Sequence, residues 1–184
     1  MNDFVNDIFN IIFRLRKSAA FWEWPDKSAK ELEIVKSLLD SMERDGIMHY
    51  RNPRSVKDNW PDCTIENEFD NSIAVEVTEL VDEEVIQRCQ RGEVVYRLWT
   101  DEDIVDEVKK RLIGKDLKSF HGNLYSKVIL VIHTDEFELI ASRLFPALGK
   151  GKFPILRNIE EVFVICSYDP ETKNYPYYQI PLGT

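Results

Sequence analysis

Residues 127–133 read Lys-Val-Ile-Leu-Val-Ile-His, an apolar run with no polar interruption between its ends. Because the run does not alternate, a strand built from it has no face to give to water. A short, β-branched run of this kind is a strand buried on both faces, in the interior of a sheet. The rest of the chain must then supply layers to cover that sheet. The stretch from Val162 to Tyr168 has the same texture and predicts a second buried strand.

Helical periodicity supplies the covering layers. Phe4, Val5, Ile8, Phe9, Ile11, Ile12 and Leu15 are spaced for an amphipathic helix, which ends at Phe21-Trp22-Glu23-Trp24-Pro25 and would dock on the domain or on a partner. Asp26 or Ser28 caps a second helix that runs to about Asp45, with Gly46 as its stop. Asp101 caps a third through about Ile113, weakened at Gly114, and Glu136 to Leu148 is periodic as well. Strand texture marks Ile47 to Tyr50, Asp62 to Phe69 and Ile73 to Leu80, the last two forming a hairpin across Asp70-Asn71-Ser72. Tyr175 to Leu182 reads as an edge strand, because Pro176 and Pro181 cannot donate to a ladder. Residues 81–100 carry no clear pattern. The predicted fold class is α/β: a mixed central sheet flanked by helices over residues 26–184, preceded by a helix and connector over residues 1–25.

A chain of 184 residues, 43% of them hydrophobic, buries a core large enough to need neither disulfide nor structural metal. Cys63, Cys89 and Cys166 match no zinc or redox spacing and read as free thiols in a reducing cytoplasm. Asp7 and Asn10 interrupt the N-terminal apolar run, which argues against a signal peptide, and no stretch approaches the ~20 apolar residues of a membrane span. The net charge of −9 argues against indiscriminate coating of nucleic acid. Local basic groups remain: Lys109, Lys110, Arg111, Lys115 and Lys118, and separately Arg51, Arg54 and Lys57.

The chemistry concentrates in residues 60–78. Asp62 opens one strand of the predicted hairpin, and Glu76 interrupts the other between Val75 and Val77. A carboxylate inside an apolar strand is costly unless it is paired or holds a cation. Two carboxylates beside a backbone carbonyl make a hard-oxygen site suited to Mg²⁺ or Mn²⁺. Alternation equally allows Glu76 to lie on a solvated face with Ala74 and Thr78. On the helix from Ser28, Glu31 falls in the middle of the stripe formed by Ile34, Val35, Leu38, Leu39 and Met42. It is either part of a buried site or a first-turn acid close to solvent. If the helix from Asp101 continues past Gly114, Lys115 falls inside the stripe of Ile104, Val105, Val108 and Leu112, and Lys118 at its edge.

Other chemistries lack their residues. His49, His121 and His133 show no ligand spacing, and His133 reads as a structural residue at a strand end. Gly149-Lys150-Gly151-Lys152 lacks the first glycine and the Ser/Thr of a phosphate loop. No nucleophile elbow occurs.

At Pro61-Asp62 and Glu76-Val77-Thr78 the chain resembles the PD-(D/E)xK nuclease superfamily, over about residues 28–133. More narrowly it is similar to bacterial members whose motif ends Glu-x-Thr and is followed by a later lysine. The resemblance implies a restriction-endonuclease-like fold and metal-dependent hydrolysis of phosphodiester bonds in nucleic acid, DNA above all. It implies that Asp62, Glu76 and the Val77 carbonyl bind Mg²⁺ or Mn²⁺, and that Glu31 is the acid of the first helix. Thr78 stands where the superfamily has lysine. Lys115, with Lys118 in reserve, is the candidate for a migrated lysine, and Thr78 would bond the attacking water or a phosphate oxygen. The rival expectation is a catalytically inactive module of the same fold. It would bind a protein partner, or a second copy of itself, through Trp22, Trp24, Tyr175, Tyr177 and Tyr178.

Overall fold

The computed structural model describes residues 26–57, 60–93, 97–118, 124–136 and 138–183. The helix expected between Phe4 and Leu15 lies outside them, as do Trp22, Trp24 and His121. Four helices are described: α1 (Lys27–Arg44), α2 (Glu83–Gln90), α3 (Asp101–Asp116) and α4 (Ala141–Lys150). Six strands form one mixed sheet: β1 (Tyr50–Ser55), β2 (Cys63–Asn67), β3 (Ser72–Glu79), β4 (Val128–Thr134), β5 (Glu161–Cys166) and β6 (Tyr177–Gln179).

The spatial order is the chain order, β1-β2-β3-β4-β5-β6. β1, β2 and β3 run antiparallel, β4 and β5 continue parallel to β3, and β6 closes the edge antiparallel to β5. The expected hairpin is therefore present, and the apolar run at Val128–Thr134 lies centrally between β3 and β5. One face of the sheet packs on α1 through Ile34, Val35, Leu38 and Met42 against Val75, Val77, Ile129 and Val131. The other packs on α3 and α4 through Ile104, Val108, Leu112, Leu144 and Leu148 against Leu130, Ile132, Val162 and Val164. Alternate residues of β4 serve opposite cores, which is why its sequence cannot alternate.

Several boundaries differ from the sequence expectation, each for a local reason. Asp26 caps α1 by accepting from Ser28 N, and Gly46 takes φ +79° just beyond the helix. Ile47 and Met48 are then exposed connector, and the strand begins only at Tyr50. Its sequence, Tyr-Arg-Asn-Pro-Arg-Ser, carries no apolar pattern, because β1 is an edge strand broken by an irregularity between Arg51 and Arg54. Thr100, not Asp101, is the cap of α3, in a reciprocal capping box with Asp103. α3 also runs past Gly114 to Asp116, where sequence propensity stopped it at Ile113. α4 begins at Ala141, five residues after Glu136, and α2 occupies part of the stretch that showed no pattern.

Cys63 and Cys166 are free and buried. The C-terminal tyrosines serve the core: Tyr175 and Tyr177 pack on the α1-side cluster, and Tyr178 stacks on Phe145 with ring centroids 5.6 Å apart. Among the described residues no helix is long and apolar enough to cross a membrane.

Candidate active site

The β2–β3 register pairs Cys63 with Val75. One step further out, Asp62 stands opposite Glu76, at the point where β2 has not yet begun. β3 continues to Glu79 on the β4 side without a partner on the β2 side, so its edge is open beyond Val75. Val77 N donates to Asp62 Oδ2 at 2.8 Å, which locks the aspartate against this open edge. In a strand the N–H and C=O of one residue point the same way, so the Val77 carbonyl also faces the Asp62 side. The main chain thus brings together Asp62, Glu76 and the Val77 carbonyl. Thr78 is half-buried on the same face as Glu76.

Lys115 reaches this corner from α3. Its Nζ lies 2.7 Å from Glu76 Oε2. Two anchors fix the helix for that reach. Arg111, one turn earlier, donates from Nε to Glu79 O at 2.6 Å and from Nη2 to Val81 O at 2.8 Å, tying α3 to the end of β3. Asp116, the next residue, is buried and accepts the main-chain N–H groups of Arg157, Asn158 and Ile159 at 2.7 to 3.2 Å. These bonds hold the last turn of α3 in place across the weak residue Gly114. Lys118 lies exposed in the turn beyond the helix, so it is Lys115 that meets Glu76.

From the other face of the sheet, α1 contributes Glu31 and Lys27. Glu31 is buried at 7% exposure, as its place in the apolar stripe implied. Lys27 Nζ sits 3.1 Å from Glu31 Oε1, with the lysine side chain 81% exposed. Sequence reading missed Lys27, although the i, i+4 spacing to Glu31 was a usable signal.

Electrostatics joins these groups into one cluster. Burial pushes the Glu76 carboxyl up, and the Asp62 charge adds to the effect while Lys115 and Lys27 oppose it. Burial and Asp62 likewise raise Glu31, against Lys27 and Lys115. The bond to Glu31, with the charges of Asp62 and Glu76, raises Lys27. Burial drives the Cys63 thiol up to about 12, helped by Asp62 and Glu31, so this cysteine is inert. His133, in β4, is 1% exposed, and burial lowers it to about 3, with the charge of Lys30 adding to the shift.

The remaining basic residues singled out from the sequence are partly neutralised. Lys109 and Lys110 pair with Asp106 and Glu107 on their own helix, Arg51 with Asp70, and Arg54 with Glu66. Among the described residues no three His, Cys, Asp or Glu side chains converge as a metal-binding group. A cation at this corner would therefore rest on two carboxylates and one main-chain carbonyl. That all-oxygen set suits Mg²⁺ or Mn²⁺, since Mg²⁺ commonly takes one or two carboxylates and keeps several waters. No family model, curated protein or solved structure matches the chain.

Proposed function

We propose that this chain is a metal-dependent nuclease that hydrolyses phosphodiester bonds in nucleic acid, with DNA the first substrate to test. The observation that carries the reading is the contact between Lys115 Nζ and Glu76 Oε2 at 2.7 Å. A lysine against the second carboxylate of a Pro-Asp…Glu-x-Thr corner supplies the cation that Thr78 cannot. The element order supports the same reading, with the short α2 inserted: α1, three antiparallel strands, α2, α3, then a strand parallel to the third. That is the arrangement implied by the resemblance to the PD-(D/E)xK superfamily.

Asp62, Glu76 and the Val77 carbonyl would hold the Mg²⁺ or Mn²⁺ ion. When bound, such an ion lowers the pKa of a water and offsets charge on the phosphoryl oxygens. The chain does the rest. Asp62 is fixed by Val77 N, so its carboxylate needs little reorganisation. The Lys115 ammonium donates in several directions, and can hold Glu76 and a phosphate oxygen together. Thr78 offers a hydroxyl on the same face as Glu76, for the attacking water or a phosphate oxygen. The inactive, protein-binding alternative rests on the net acidity, on Thr78 in place of lysine, and on Trp22, Trp24, Tyr175, Tyr177 and Tyr178 as an interface. The Lys115–Glu76 contact supports the migrated lysine, and the packing of the three tyrosines weighs against their part in an interface.

The test is incubation with plasmid DNA, single-stranded DNA and RNA in Mg²⁺ or Mn²⁺, with EDTA as control, beside Asp62→Ala and Glu76→Ala. Cleavage should need metal and vanish in both variants. Equal behaviour of wild type and variants would overturn the reading.

A further inference from the structure

Lys27 has no place in the sequence motif, yet it belongs to the site's charge balance. α1 and α3 pack on opposite faces of the sheet. Lys115 meets Glu76 from the α3 face, and Lys27, on the α1 face, lies close enough to Asp62 and Glu76 to feel both charges. Lys115 is half-buried and committed to Glu76. Lys27 is exposed, and tethered at its ammonium by buried Glu31. An exposed lysine ordinarily sweeps a wide volume, and a bond to a buried carboxylate confines it to one rim.

Counting charge decides what that rim suits. Glu31, Asp62 and Glu76 carry three negative charges when ionised, and Lys27 and Lys115 carry two positive ones. A divalent cation would bring the cluster to one net positive charge, which complements the single negative charge of a phosphodiester. Without Lys27 the loaded cluster would be neutral, with no net attraction for its substrate. Lys109, Lys110, Arg51 and Arg54 add nothing to this balance, since each is paired with an acid outside the cluster.

We propose that Lys27 is the substrate-holding residue of this site, binding a non-bridging phosphate oxygen of the nucleic-acid backbone from the α1 side, opposite Lys115. The role rests on the nuclease reading. Lys27 binds ground state and transition state alike, so its removal weakens KM and spares kcat. Its contact is to phosphate, so it adds affinity without sequence preference.

The experiment compares Lys27→Gln, Lys27→Arg and, as a helix-surface control, Lys36→Gln in the full chain. Steady-state cleavage in Mg²⁺ is read beside fluorescence anisotropy of a labelled 20-mer in Ca²⁺ across a salt series. Lys27→Gln should raise KM and the anisotropy Kd roughly tenfold, change kcat less than about threefold, and reduce the salt slope by about one. Lys27→Arg should restore most of the affinity, and Lys36→Gln should match wild type. An unchanged Kd in Lys27→Gln, or a fall in kcat at constant KM, overturns the assignment. If wild type binds the 20-mer but cleaves nothing, the nuclease reading fails while the Ca²⁺ series still decides Lys27. If it does neither, both fall.

Discussion

Lys115 and Glu76 are 39 residues apart, on a helix and on a strand, and their side chains meet at 2.7 Å. The glutamate is 8% and the lysine 25% exposed at the side chain, so the pair lies at the border of the core rather than on the surface. Partial desolvation strengthens such a contact, and it costs most when one partner alone is removed. Lys115→Ala should reduce metal-dependent cleavage by roughly 10²–10³-fold, the range for loss of one preorganised charge-stabilising group. Placing Thr78→Lys in that background restores a lysine on the Glu76 face of β3. Part of the lost activity should return, measured as kcat. No recovery, in a double variant with wild-type stability, would count against the migrated lysine.

Asp116 should matter through Lys115. Its carboxylate accepts three main-chain N–H groups, and a hydrogen bond to a charged group contributes about 1.5–3 kcal/mol net, not additively within one cluster. Asp116→Ala should lower stability by about 2–4 kcal/mol in urea titrations, and Asp116→Asn by less. Either change loosens the last turn of α3, so cleavage should fall. In the Lys115→Ala background, Asp116→Asn should cost no further activity. Additive losses would show that Asp116 acts by another route.

The corner was legible in the sequence because its signals were violations. Glu76 in an apolar strand and Glu31 in an apolar stripe both break the local pattern, and functional sites are where such breaks concentrate. The continuous run at Val128–Thr134 was legible for the opposite reason: both faces are buried, so nothing interrupts it. What stayed hidden depends on tertiary context. β1 owes its strand to pairing with β2, not to its own polar sequence. α3 passes Gly114 because Asp116 is anchored 41 residues away at Arg157. Arg111 read as one member of a basic patch, and only the fold turns it onto the carbonyls of Glu79 and Val81.

Glu31→Gln should stabilise the protein at neutral pH. Burial raises the Glu31 carboxyl, with Asp62 adding to the shift, so ionising it costs more in the folded protein than in the unfolded chain. A folded pKa above the unfolded one contributes stability below the unfolded value and loses it as pH rises. Removing the ionisable group removes that loss. The midpoint of thermal unfolding at pH 7 should rise in Glu31→Gln, by roughly 2–4 °C for each ~1 kcal/mol gained in a chain of this size. At about pH 3, where the wild-type carboxyl is protonated, the two midpoints should converge. A lower midpoint at pH 7 would mean that the bond to Lys27 outweighs burial.

His133 sets an acid limit with the opposite sign. Burial lowers it to about 3 from an ordinary value of 6.5, so the folded state holds it neutral while the unfolded chain takes up a proton below 6.5. A depressed folded pKa contributes stability above the unfolded value and loses it as pH falls towards the folded one. The loss approaches about 1.4 kcal/mol per pH unit once the unfolded histidine is fully charged. Between pH 6.5 and 5 it amounts to about 2 kcal/mol at most. A second change moves the other way, since the raised carboxyls of Glu31 and Glu76 regain stability as they are protonated. The two are separated by His133→Gln, which keeps a polar side chain of similar reach and removes the titration. Urea midpoints measured from pH 7 to pH 5 should fall less steeply in His133→Gln than in wild type, whatever the absolute stability of the variant. Parallel slopes would show that the histidine ring takes up its proton in the folded protein, and that β4 admits a charge at this position.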